Sequence, residues 1–209
     1  MFSNYLKLYF LVSSLIISFV GSINYIIDPL WYGKGNKLNG INMPFNERLT
    51  KTNLYLKNIN KYDCLIFGSS RTTLLNAYSL KNNNCFNYSF SAGRIAEFVK
   101  YAEYVKEKGA NPKKIYIGVD AFNFDATKIE YDITISKPKP IYKSYLFSLD
   151  TLWLSTKTIL SKKDFFRFYD DRFKVKVFAD APKYQPQLVE HRAQNQDNCY
   201  LKSISDYKN

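Results

Sequence analysis

Residues 62–71 read Tyr-Asp-Cys-Leu-Ile-Phe-Gly-Ser-Ser-Arg, a short apolar run closed by one glycine and two serines. The run Cys64 to Phe67 has no polar alternation, which is the pattern of a strand buried on both faces, as in a parallel sheet. Two later stretches repeat the design. Residues 85–94 (CFNYSFSAGR) give a second strand closed by Ser91-Ala92-Gly93, and residues 114–123 (KIYIGVDAFN) give a third closed by Gly118. Between them lies the clearest helix pattern, residues 94–108 (RIAEFVKYAEYVKEK). It places Ile95, Phe98, Val99, Ala102 and Val105 on one face, with Gly109 as its stop. Strand, short helix, strand, long helix, strand predicts an α/β domain with a parallel sheet covered by helices.

Working upstream, residues 46–58 (NERLTKTNLYLKN) predict a helix, and the Gly- and Asn-rich residues 33–45 predict a linker or extended arm. From Leu8 to Ile27 there is no charged residue. A helix of about 20 such residues crosses a hydrocarbon core of roughly 30 Å. Tyr5, Tyr9, Tyr25, Trp31 and Tyr32 flank its two ends, where amphipathic rings favour the interface, and Asp28-Pro29 stops the helix. The rival is a cleaved signal peptide with Val20-Gly21-Ser22 as its small-residue site; the apolar run continues past that point, so an anchor is expected. Only Lys7 precedes the helix, while Lys34, Lys37, Arg48 and Lys51 follow it. The positive-inside rule would keep the domain in the cytoplasm, but large folded domains translocate largely regardless of charge.

Downstream of Asp120 the pattern loosens, with a helix expected over residues 150–161 and a polar tail from about Ala181. The expected organisation is an anchor over residues 1–30, linker and helix over 31–60, an α/β domain over 61–180 and a tail over 181–209.

The composition, 46% apolar and 23% charged, is that of a folding chain and excludes a disordered one. The net charge of +12 invites a nucleic-acid reading. The basic residues are spread along the chain with no Arg-rich helix, zinc-finger spacing or aromatic RNA-binding signature, so no nucleic-acid partner is expected. A solvated surface near anionic lipid or acidic glycan accounts for the charge. Cys64, Cys85 and Cys199 are too few for a zinc site or a disulfide framework. Cys64 and Cys85, both in strands, are read as buried thiols in preference to a disulfide. No ligand cluster or phosphate-cradling loop implies a metal or cofactor.

Ligands of open parallel sheets bind outside the carboxyl ends of the strands. Three polar clusters fall there: Gly68-Ser69-Ser70-Arg71, Ser89 to Arg94, and Gly118 to Asn123. A serine just after a buried strand is either a nucleophile with backbone donors beside it or a helix cap, and Gly-Ser-Ser alone favours the cap.

The blocks 63–71, 86–94 and 115–124, in their order and spacing behind a membrane helix, resemble membrane-anchored SGNH-like hydrolases of bacterial cell-envelope polysaccharide loci. The likeness covers roughly residues 8–160. It implies a three-layer, flavodoxin-like α/β fold behind one inner-membrane anchor, with an extracytoplasmic domain. It further implies a serine esterase or O-acyltransferase working on a polysaccharide or beside its biosynthetic proteins. Ser70 would be the nucleophile, and the Ser70 and Gly93 backbone N–H groups would form part of the oxyanion hole. Asp120 stands near where many such enzymes carry an asparagine donor; an ionised carboxylate there repels an oxyanion, which makes Asn123 the candidate substitute. The family's base comes from a late Asp-x-x-His segment. The single histidine here, His191, has Leu188 three residues before it. Either His191 reaches the site by an unusual route and serves as the base, or the domain is incomplete at its C-terminal side; a catalytically inactive accessory protein of the same fold is the alternative function.

Overall fold

The computed structural model of the protein describes residues 2–120, 123, 145–160, 167–169, 173–177 and 194–195. His191 and most of the expected tail lie outside the described residues, as do residues 124–144.

Helix α1 (Phe2–Ile27) is long and apolar enough to span a bilayer, and its apolar side chains are largely exposed. It ends at Asp28, which takes a positive φ of 43°, followed by Pro29. The buried Asp28 carboxylate then collects the next turn, accepting the N–H groups of Tyr32 (2.8 Å), Gly33 (2.7 Å) and Gly35 (2.8 Å). Asn42 closes the loop from the other side: its Nδ2 donates to Asp28 O at 2.8 Å and its Oδ1 accepts Asn36 N–H at 2.8 Å. Residues 33–45, polar enough to read as a linker, are thus a tightly bonded knot in which Asn36 and Asn42 are buried. Helix α2 (Glu47–Lys57), capped by Asn46, follows, and Lys57 Nζ returns to the carbonyls of Trp31 (2.8 Å), Tyr32 and Gly33 (2.8 Å). Burial holds the Lys57 pKa below its ordinary value, against the opposing pull of Asp28.

Strands β1 (Cys64–Phe67), β2 (Cys85–Asn87) and β3 (Lys114–Ile117) form an open parallel sheet in the order β2-β1-β3. Leu65, Phe67, Phe86 and Tyr88 face helix α3 (Ile95–Glu107) and α2, meeting Phe98, Tyr101, Val105 and Tyr55 in a core dominated by aromatic rings. On the opposite face, Cys64, Ile66 and Cys85 pack against Ala77 and Leu80 of the short 3-10 segments between β1 and β2. Cys64 and Cys85 are directly opposite in the register and are disulfide-bonded. This corrects the expectation of two free thiols: side chains at paired positions of neighbouring strands leave the same face of the sheet, and here they meet.

Helix α4 (Leu149–Leu160) occurs where the sequence predicts one, and packs on α1. The hairpin of β4 (Arg167–Tyr169) and β5 (Val175–Val177) has no counterpart in the sequence reading; it adds Tyr169, Phe173 and Val175 to the aromatic core. The protein is thus an α/β chain with an N-terminal apolar helix and a small parallel sheet.

Candidate functional site

The three strand ends meet through their glycines. Thr72, at the start of a 3-10 turn (Thr72–Leu74), has its side chain wedged against both Gly68 and Gly118, so a Cβ at either position would collide with it. A Cβ at Gly93 would lie 2.6 Å from Phe98 Cε1 and 2.8 Å from Gly68 O. Backbone hydrogen bonds complete the junction, Phe90 N–H to Gly68 O at 3.1 Å and Gly118 N–H to Phe67 O at 2.8 Å. The clusters that the sequence places at strand ends therefore share one rim.

On that rim the two serines diverge. Ser69 is buried and donates its hydroxyl to Asp120 Oδ2, while Arg71 Nη1 lies 3.4 Å from Asp120 Oδ1. Ser70 is exposed, and its hydroxyl has no hydrogen-bond partner among the described residues. Asp120, read from sequence as an intruder at an oxyanion position, instead binds together the end of β3 and the turn after β1. Asn123 accepts the N–H of Ile95, the first residue of α3, through Oδ1 at 3.0 Å. Its Nδ2 is buried with no partner among the described residues. The Gly93 N–H donates to Phe90 O at 3.1 Å within a turn that carries Ala92 at φ 54°.

No family model, curated protein or solved structure matches this chain.

Helix α2 supplies residues to the rim that no motif flagged. Lys51 is fully buried and its Nζ donates to Ser89 O; Glu47 Oε2 accepts Ser91 N–H at 2.5 Å. Arg48 makes a two-pronged ion pair with Glu97, Nε to Oε1 at 2.5 Å and Nη2 to Oε2 at 3.0 Å, over the Phe90 ring. Burial works against the Arg48 charge, but Glu97, with Tyr101 and Glu47, outweighs it and the pKa lies above the ordinary value. The only available signal was the i, i+1, i+4 run of charges in α2, which an exposed helix face would show equally well. These contacts fix the loop after β2 from below.

Among the described residues no three His, Cys, Asp or Glu side chains gather as a metal-binding set. A cleft of about 460 Å³ between α3 and the exposed edge of β3 is lined by Phe67, Phe98, Ala102, Ile115 and Ile117 and lies off the rim. Glu103, Lys106 and Asn111 also line it, but none of the residues of the three strand-end clusters does, so the rim is the candidate site.

Proposed function

We propose that this chain is a membrane-anchored SGNH-like protein acting on O-acyl groups of a cell-envelope polysaccharide, with Ser70 as nucleophile. The observation that carries the reading is an exposed serine on the same rim as a buried amide donor, Asn123 Nδ2, both without a side-chain partner among the described residues. In the proposed step Ser70 Oγ attacks the ester carbonyl, the sugar oxygen departs with a proton, and the acyl-serine passes its acyl group to water or a second hydroxyl. Asn123 Nδ2 and Ser70 N–H are the donors for the developing oxyanion, and His191 is the candidate base. Ser69, Asp120 and Arg71 hold the nucleophile's turn. The disulfide between Cys64 and Cys85 favours an oxidising, extracytoplasmic side for the domain.

A non-catalytic accessory role is the second reading. It is favoured by the engagement of both Asp120 oxygens with Ser69 and Arg71, and by that of Gly93 N–H with Phe90, which leaves Ser70 without a carboxylate partner. Labelling of detergent-solubilised protein with a fluorophosphonate separates the two. Labelling that persists in Ser69→Ala but is lost in Ser70→Ala and His191→Ala is the expected result. Loss in Ser69→Ala with retention in Ser70→Ala would move the nucleophile one residue. An unlabelled wild type would leave the accessory role.

A further inference from the structure

Helix α4 is inside out. It buries Thr151, Ser155 and Thr158 and exposes Leu149, Trp153, Ile159 and Leu160. A helix resting on a water-soluble core does the reverse. The explanation lies in what α4 packs against. Ser155 Oγ donates to Asn24 Oδ1 of α1 at 3.1 Å, and Asn24 Nδ2 donates to the carbonyls of Leu146 (2.9 Å), Ser148 (3.1 Å) and Tyr145 (3.3 Å) just ahead of α4. Tyr145 Oη completes the clip with a 2.7 Å bond to Asn24 O. Phe147 lies against Gly21, where a Cβ would approach its ring to 3.0 Å. Joining helices through small and hydroxyl-bearing residues is how they associate within a bilayer, where apolar surface gains little by leaving lipid.

Position and length agree. Asn24 is three residues, about 4.5 Å of rise, from the end of α1, so α4 crosses it near one membrane boundary. At 12 residues, α4 extends about 18 Å, too short to span roughly 30 Å of hydrocarbon. By helical periodicity Leu149, Trp153 and Leu160 centre the outward arc, Leu152 and Ile159 form one flank, and Asp150 and Lys157 form the other. An apolar arc with its charges on one flank is the profile of a helix lying in the interface. Lys157 Nζ sits 5.1 Å from the Trp153 ring, on a side chain long enough to reach headgroup phosphates.

We propose that α4 is a second membrane-contacting element, lying in the interface of the bilayer that α1 spans, with lipid acyl chains covering Leu149, Trp153 and Leu160. The proposal rests on α1 being a membrane span, so the test reads both helices. The full chain is reconstituted in phosphatidylethanolamine–phosphatidylglycerol vesicles with photoreactive benzoylphenylalanine replacing, one at a time, Trp153, Leu160, Phe10 of α1, and the exposed Leu75 as a control. Lipid adducts from all but the last are expected. Adducts from Phe10 without any from positions 153 and 160 would overturn the interfacial helix and leave the span standing. Adducts from none would overturn the span as well. Cross-links from positions 153 and 160 to protein would overturn lipid as the occupant. Independently, Trp31→Phe leaves Trp153 as the only tryptophan. Its emission is expected to fall by about half with lipids brominated in the upper acyl chain, consistent with shallow burial. Emission untouched by bromolipid and quenched by acrylamide would contradict the proposal.

Discussion

Tyr55 and Tyr88 sit side by side in the aromatic core, their ring centroids 5.8 Å apart, yet their hydroxyls fare differently. Tyr88 Oη shares a hydrogen bond of 2.6 Å with Thr52 Oγ1; Tyr55 Oη is buried with no partner among the described residues. A buried polar group without a partner costs about 1–3 kcal/mol, whereas a satisfied one contributes about 1 kcal/mol. Tyr55→Phe is therefore expected to stabilise the protein by about 1 kcal/mol and Tyr88→Phe to destabilise it by about the same amount. Urea unfolding of the two variants in detergent checks both signs. The same scale explains why the site was only half legible. Gly-x-Ser spacing selects Ser70, but which of two adjacent serines turns inward is decided where the chain leaves the extended conformation at Gly68. Side-chain alternation no longer applies beyond that point. Nor does any pattern announce that Asp120, fifty-one residues after Ser69, will meet it.

Among the elements, the disulfide joins neighbouring strands across a sequence separation of 21. Closing a loop of that size is worth about 3 kcal/mol in the chain-entropy account. Reduction, or the Cys64→Ala/Cys85→Ala double variant, is expected to lower stability by about that amount. Thermal unfolding with and without reductant measures it, and an unchanged midpoint would mean that the bond adds nothing. The strands and helices themselves were readable: the apolar runs at residues 64–67 and 115–117 and the periodic face of α3 need no tertiary information. What escaped depends on partners. The register that sets Cys64 against Cys85 follows from the order β2-β1-β3, which no local pattern encodes. The 33–45 segment looked like a linker because its asparagines are polar; Asn36 and Asn42 bond to backbone groups and are buried. The β4–β5 hairpin is too short for its alternation to stand out.

For the molecule as a whole, the concentration of phenols in one core makes stability sensitive to alkali. Burial raises the pKa of Tyr55 to about 12 from an ordinary 10.0. Burial also holds Tyr88 and Tyr169 well above that value, only partly offset by their bonds to Thr52 and Thr50. The unfolded chain releases these protons near pH 10 while the folded chain keeps them, so ionisation favours unfolding as the pH rises. Each retained proton corresponds to about 1.4 kcal/mol per pH unit. Stability is therefore expected to fall as the pH rises above about 10, where the unfolded phenols ionise, with no such slope below pH 9. Unfolding midpoints across that range, compared with the Tyr55→Phe variant, test the slope.

The knot around Asp28 has a geometric consequence for the surface it serves. Thirteen residues of free coil would let a domain roam over a radius of about 20 Å from its anchor. Here Asp28, Asn42 and Lys57 remove that leash, so under the proposal that α1 is an anchor the rim would travel at one altitude above the headgroups. Encounters with the proposed envelope polymer would then be set by lateral drift in the plane of the membrane and by how close the polymer approaches it, with little help from any swing of the domain itself.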